Sequence, residues 1–330
     1  MNYYKKDKNR LVCLLCQYYC KLKNSQTGVC GVNQNIGSQI KNLVYGYPSA
    51  INIDPIEKKP LYHFLPSSKS FSLGTVGCNF HCSFCQNWQI SQEHNIDKSK
   101  YFEPRLIASL AQENACQSIS YTYNEPTIFY PYAKDIALEA KKLSLKNIFV
   151  SNGYESKEVI DDMVGVIDAI NIDLKSFDEK YYKHNLGGNL KKNLENLKHF
   201  RKNNLWIEIT TLIVPTQNDS EEELLKIASF IANELGTFTP WHISAFHADY
   251  KELNLPSTSL QSLSRAYEIG KSVGLEYVYV GNVQYENNTK CTSCGTSLIE
   301  RKYFQVTKNN LINESCPKCN KKLEGVFDKK

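Results

Sequence analysis

Gly77-Cys78-Asn79-Phe80-His81-Cys82-Ser83-Phe84-Cys85-Gln86-Asn87 places three thiols at C-x3-C-x2-C spacing within eight residues, directly after the strand-like run Phe71–Val76. A structural zinc closes its shell with four protein ligands, in pairs separated by a longer loop. Three tightly grouped thiolates instead suit a cubane [4Fe–4S] cluster whose fourth iron stays open to chelate a small molecule. The competing readings are a zinc knuckle or ordinary buried thiols.

Outward from this loop, β-rich runs alternate with amphipathic stretches. Strands are expected at Phe71–Val76, Ser118–Tyr123, Asn147–Ser151, Ala169–Leu174, Trp206–Val214, Trp241–Phe246 and Tyr277–Val280. Helices are expected at Pro104–Glu113, Thr127–Lys142, Leu190–Asn203, Ser220–Glu234 and Ser259–Val273, with Ser220-Glu221-Glu222-Glu223 reading as a capping box. Repeated βα units imply a parallel sheet, and the absence of a glycine-rich phosphate fingerprint favours a closed or partial (β/α) barrel over a dinucleotide fold. Residues 31–70, with prolines at 55, 60 and 66, read as irregular. The organisation expected is an N-terminal cysteine-rich extension over 1–70, a barrel core over 71–284 and a C-terminal zinc-ribbon-like module over 285–330.

In parallel barrels the chemistry sits at the C-terminal strand ends. Tyr121-Thr122-Tyr123-Asn124-Glu125-Pro126, Ser151-Asn152-Gly153 and Asp173-Leu174-Lys175 lie there, as do His247 within Ser244–Tyr250 and Asn282. Each stretch alone reads as a turn; at successive strand ends after the cysteine loop they read as a site. His63, His94, His184 and His199 default to packing or solvated roles.

With 330 residues, 42% hydrophobic and 22% charged, the chain has the composition of a globular protein rather than a disordered or membrane-embedded one. No apolar run approaches the length of a membrane span, and Leu11–Cys16 is too short and cysteine-rich for a secretory core, so a cytoplasmic location is expected. The net charge of +5 is uneven: residues 1–30 carry six Lys/Arg against one acid, and residues 285–330 nine against five. Lysine-rich ends are more often solvated surface than nucleic-acid contacts.

The remaining cysteines form two sets and one stray. Cys291/Cys294 and Cys316/Cys319 are separated by 21 residues, with Gly295 and Asn320 placed where knuckles need a left-handed backbone. Zinc is the expected metal, with a rubredoxin-type iron site as competitor. Cys13/Cys16/Cys20/Cys30 suit zinc or an auxiliary iron–sulfur cluster, and spacing does not separate the two. Cys116 reads as a small buried hydrophobe.

The cysteine loop, with Phe84 just before the third Cys, resembles the signature of the radical S-adenosylmethionine (SAM) enzymes. Gly28-Val29-Cys30-Gly31-Val32, the stretch Asp54–Pro66, the continuation Gln86-Asn87-Trp88-Gln89-Ile90-Ser91-Gln92 and the terminal cysteine pairs narrow the likeness. Together they resemble the AmmeMemoRadiSam-system radical SAM enzyme family, similar to pyruvate formate-lyase activating enzymes, over nearly the whole chain. Two positions depart from that pattern: Gln17-Tyr18 stands for an expected Pro-His, and Ala248 for a proline in His-Pro-Asp-Tyr.

The resemblance implies a partial (β/α)6 barrel and a [4Fe–4S] cluster on Cys78, Cys82 and Cys85. It further implies SAM cleavage to a 5′-deoxyadenosyl radical, a flavodoxin- or ferredoxin-type electron donor, and a protein or peptide substrate. Under it Asn124 and Glu125 would meet the SAM ammonium, Ser151 and Asn152 its carboxylate or ribose, and Asp173, Lys175, His247 and Phe84 further parts of the cofactor site. A glycyl-radical-enzyme activase and a non-catalytic iron–sulfur or zinc scaffold that binds a partner or RNA are the alternatives.

Overall fold

All seven expected strands form and pair in chain order. In the computed structural model, which describes residues 2–327, they are preceded by an antiparallel edge strand, so the sheet runs β1 (Ala50–Pro55), β2 (Lys69–Gly74), β3 (Ser118–Tyr121), β4 (Lys146–Ser151), β5 (Ala169–Asp173), β6 (Trp206–Ile213), β7 (Trp241–Ala245) and β8 (Val278–Gly281). β2 to β8 are mutually parallel. Between successive parallel strands lie α1 (Pro104–Glu113), α2 (Tyr130–Lys142), α3 (Lys157–Met163), α4 (Leu190–Lys202), α5 (Glu221–Phe230) and α6 (Leu260–Ser272). Right-handed crossovers between neighbouring strands put every helix on one face, and the sheet curls away from them. Among the described residues no pairing joins β8 to β1, so the barrel stays open.

The strand period of two separates the faces. Phe71, Leu73, Ile119, Tyr121, Ile170, Ile172, Ile207 and Ile209 share one core with the helix residues Ile107, Ala133, Ile136, Leu197 and Ile227. The alternate positions Ser70, Ser72, Ser118, Ser120, Asn171, Glu208, Thr210, His242 and Ser244 are buried and polar. The expected capping box is half made: Ser220 accepts from the Glu223 N–H at 3.2 Å, while the Glu223 carboxylate takes the Ser176 hydroxyl and Phe177 N–H instead of reaching back.

Residues 31–70 are more regular than their sequence suggests. They supply a hairpin (Asn33–Ile36 with Gln39–Asn42), β1, and a 3₁₀ turn at Ile56–Lys58. Ile56, Leu61, Phe64 and Leu65 plug the N-terminal end of the barrel against Ile148, Ala169 and Trp206. Pro55 is tolerated because it ends an edge strand.

The C-terminal module is fastened to this plug. Arg301 donates to the Tyr62 carbonyl at 2.7 Å and lies 4.4 Å above the Tyr62 ring. Nδ1 of the fully buried His63 is 2.7 Å from the Glu324 carbonyl, which only accepts, so Nδ1 carries the proton and Nε2 accepts the Tyr279 hydroxyl at 2.7 Å. The imidazole is thus neutral, and burial pushes its pKa down to about 4 from 6.5. Since the unfolded chain takes up this proton first, stability is expected to fall as pH drops from about 6.5 to about 4, by up to about 3 kcal/mol from this group. Denaturant unfolding at stepped pH should show a shallower acid loss in His63→Gln.

Candidate active site at the open end of the barrel

The chain leaving β2 crosses the C-terminal end of the sheet as the cysteine loop. Gly77 has φ 88°, and a β-carbon there would stand 2.6 Å from the Cys30 carbonyl oxygen, so only glycine allows this turn. Asn124, beyond β3, staples the loop entrance by donating to the Gly77 carbonyl at 2.7 Å and the Thr75 hydroxyl at 3.1 Å. The Phe80 N–H points at Cys78 Sγ (3.4 Å), and the Ser91 hydroxyl lies 3.1 Å from Cys85 Sγ. Burial and the nearby Glu125 push the Cys78 thiol well up; burial takes Cys82 to about 12 despite the Lys175 ammonium. Such thiols ionise when a metal binds and replaces the missing solvation. The three sulfurs do not close to the spacing of one ion, which suits ligands of separate irons better than ligands of one zinc. One buried and two half-buried thiols on one loop with N–H and O–H donors around them fit an iron–sulfur cluster.

Next to the loop is a pair of buried carboxylates. Glu125 receives the Thr127 N–H (3.0 Å) and hydroxyl (2.5 Å), the Ser151 hydroxyl (2.9 Å) and the Asn152 N–H (2.8 Å). The side chain is 1% exposed and its oxygens already accept from these protein donors, so a SAM ammonium expected beside Glu125 would share the carboxylate with them. Glu155 Oε1 lies 2.6 Å from the same Ser151 oxygen. Ser151 has one proton to give, so one carboxyl must bring its own. Four donors mark Glu125 as the charged member. Glu155, with Oε2 unpartnered, is the neutral one; burial, then the Glu125 charge, push its pKa up to about 8. Glu155→Gln is accordingly expected to change stability by less than about 1 kcal/mol, and Glu125→Gln to cost about 2–4 kcal/mol by turning an amide N–H₂ onto buried donors. Denaturant titrations giving the opposite order would sink this assignment.

Across the mouth, Lys175 Nζ pairs with Asp173 at 2.8 Å and lies 5.9 Å from the centre of the Phe84 ring. Burial opposes its charge, but Asp173 and Cys82 outweigh that and raise its pKa. Asn152 donates to Asn79 at 2.8 Å, which ties the Ser151-Asn152-Gly153 turn to the cysteine loop. The segment after β7 straps the loop from the other side: the Lys251 N–H reaches the Ser83 carbonyl (3.0 Å), the Trp88 indole donates to Asp249 (3.2 Å), and the Trp88 and Tyr250 rings stack at 5.4 Å. His247 is exposed beside Gln86, 3.2 Å from its amide nitrogen. Asn282, in the left-handed region, donates to the Ala245 carbonyl at 3.1 Å. Sequence reading missed Glu155, Asn79 and Ser91; Glu155 follows Ser151 by four residues, but a lone acid after a turn carries no signal by itself.

Far from the mouth, Cys291, Cys294, Cys316 and Cys319 bring their four sulfurs within 4.8 Å of one another. The contacts Cys291–Cys319 and Cys294–Cys316 are 3.5 and 3.6 Å. Tetrahedral sulfurs at about 2.3 Å from a zinc would be about 3.8 Å apart, so the set has single-ion geometry. Gly295 and Asn320 adopt the left-handed conformation expected of them. Cys116 is buried near the N-terminal end of β3, as a small hydrophobe would be.

The Radical SAM superfamily model matches residues 72–228, spanning β3 to most of α5 and the cysteine loop. An uncharacterized protein of Methanocaldococcus jannaschii is 40% identical over 333 residues, covering 99% of each chain. Pyruvate formate-lyase-activating enzyme of Clostridium pasteurianum is 23% identical over 54% of this chain and 77% of its own. The crystal structure of a radical SAM methyltransferase from Sphaerobacter thermophilus shares the fold, with a TM-score of 0.52 at 12% identity over 67% of this chain and 68% of that one. The match to the family model decides the assignment: residues 72–228, with the cysteine loop at the mouth of an open six-unit barrel, belong to the Radical SAM superfamily, whose chemistry uses a [4Fe–4S] cluster and SAM.

Proposed function

We propose that the protein is an enzyme that abstracts a hydrogen atom from a protein or peptide substrate in the cytoplasm. The reading rests above all on three thiols on one loop, Cys82 buried and Cys78 and Cys85 half-buried, facing the Asp173–Lys175 pair and the Ser151–Asn152 turn. A bound cluster would supply the single electron that splits SAM into methionine and a 5′-deoxyadenosyl radical able to take a hydrogen atom from the substrate. Cys78, Cys82 and Cys85 would hold three of its irons. Asn152 and Ser151 present a rigid polar turn to the carboxylate or ribose of SAM. Lys175 supplies a fixed cation and Asp173 its counter-charge, while Phe84 covers one side of the ammonium. Glu125 contributes its field and holds the turn, and His247 faces the substrate side. Asn124 sets the loop entrance. The electron comes from a flavodoxin- or ferredoxin-type donor.

Activation of a glycyl-radical partner is the second reading, favoured by the relative named as a pyruvate formate-lyase-activating enzyme. We assign structural zinc to the C-terminal thiols. Functionally the chain divides into the extension 1–70, the barrel 71–284 and the module 285–330, with the extension lending β1 to the sheet.

The test is anaerobic reconstitution with iron and sulfide, then chromatography for 5′-deoxyadenosine from SAM plus dithionite. Product is the expected result, and no product despite an intact cluster overturns the reading. A glycine-centred radical in a co-incubated glycyl-radical protein would select the activase.

A further inference from the structure

The four N-terminal cysteines behave differently from the four at the C-terminus. Cys13, Cys16 and Cys30 are buried and Cys20 is half-exposed. The Asn33 side-chain amide donates to Cys30 Sγ at 3.4 Å, and backbone amides of Leu15, Tyr18 and Val29 lie near Cys13, Cys16 and Cys20. Yet among the described residues only the C-terminal set closes to single-ion spacing. Four thiols that share a site while standing farther apart fit ligands at the corners of a cubane better than ligands of one zinc.

The place of this set in the fold is specific. Its knuckle is sewn to the barrel mouth: the Gln17 N–H donates to the Tyr154 carbonyl (3.0 Å), Cys16 bridges to Glu155, and the Ser156 N–H donates to the Leu15 carbonyl (3.1 Å). The Tyr18 hydroxyl reaches the Gly187 carbonyl. On the inner side the Cys30 carbonyl lies against Gly77, the residue before Cys78. An aromatic path runs alongside, from Tyr18 to Tyr154 at 5.3 Å and from Tyr154 to Phe80 of the cysteine loop at 5.1 Å. Cys20 is the most open of the four toward solvent.

We propose that Cys13, Cys16, Cys20 and Cys30 hold a [4Fe–4S] cluster that relays single electrons from an external donor protein to the cluster on Cys78, Cys82 and Cys85. Four protein ligands leave it no open iron, so it carries electrons and does not chelate a substrate. One electron enters from a reduced flavodoxin- or ferredoxin-type donor near Cys20 and leaves past Cys30 and Gly77. The relay cluster returns to its oxidised state, and the donor is oxidised by one electron. The relay rests on the radical SAM reading above; the presence of the cluster does not.

The full chain carrying Cys78/Cys82/Cys85→Ala, reconstituted anaerobically, is expected to retain about four iron and four sulfide per chain and to give an electron paramagnetic resonance signal on reduction. Wild type should hold about twice that iron. Iron near zero in the triple variant, with a second zinc beyond the one at the C-terminal thiols, overturns the cluster, as does wild-type iron of only about four. For the relay, Cys20→Ala should lower the ratio of flavodoxin-driven to dithionite-driven 5′-deoxyadenosine formation at least tenfold. Equal losses with both reductants overturn it. Failure of wild type to form 5′-deoxyadenosine with either reductant would strike the proposed reaction and leave the iron count standing.

Discussion

Replacing any one of Cys78, Cys82 or Cys85 by alanine is expected to reduce 5′-deoxyadenosine formation to the level of a protein-free control. On the proposed ligation each thiolate would bind its own iron, so two remaining ligands would not hold a site-differentiated cluster. No neighbour substitutes: Cys116 lies at the opposite end of the barrel, and Cys30 meets the loop through its carbonyl rather than its sulfur. The fold should survive, because the loop is anchored independently of the sulfurs by Asn124 on Gly77, by the Gly77 N–H on the Ile90 carbonyl at 2.9 Å and by the strap on Ser83. Loss of one small buried side chain costs about 1–3 kcal/mol. The measurement is product chromatography beside thermal melts. A folded single variant that retains turnover would sink the ligand assignment.

Glu208→Ala is the substitution expected to damage the fold most, by about 3–5 kcal/mol. The carboxylate is 0% exposed and receives the Tyr62 N–H (2.9 Å), the His63 N–H (2.8 Å), His242 Nε2 (2.7 Å) and the Trp206 indole N–H (3.1 Å). Burial alone would push its pKa up, but the His242 hydrogen bond and the Tyr62 N–H outweigh it and hold the group below the usual carboxylate range. Alanine strands these donors inside the barrel. It also frees Tyr62, whose carbonyl and ring hold Arg301 of the C-terminal module. Chemical denaturation should therefore show the full loss, and limited proteolysis should release the module first. A change below about 1 kcal/mol would mean that the network is not the fastening it looks to be.

The parallel strands were legible because buried strands read as short β-branched runs between helical patterns. β1 was not, since its alternation of Ile51 and Ile53 with Asn52 and Asp54 spans only four residues and runs straight into Pro55 in a proline-bearing stretch, and its place is fixed by pairing with the β2 residues Leu73, Phe71, Ser72 and Ser70. The hairpin at Asn33–Asn42 was hidden as well: Asn33, Gln34 and Asn35 have low β-propensity and are held by specific amide bonds, such as Asn33 to the Ile128 carbonyl at 2.7 Å. The second half of the capping box failed because the Glu223 carboxylate found Ser176 and Phe177 on a loop 46 residues away. No local pattern encodes that competition.

What the sequence by itself determined is the set of candidate ligands. Cys78, Cys82 and Cys85 lie on one short loop, and Cys291/Cys294 and Cys316/Cys319 on two knuckles, so their spacing already constrains which sulfurs can share a metal. Only the tertiary structure decided how the strand-end residues divide their work. It spends Glu125 on four protein donors, makes Glu155 the neutral partner, seats Glu208 under the barrel plug and lays Cys30 against Gly77. The reason is physical. A coordination motif is fixed by the reach of a few consecutive residues, whereas the charge and hydrogen bonding of a buried side chain depend on whichever distant groups packing brings to it.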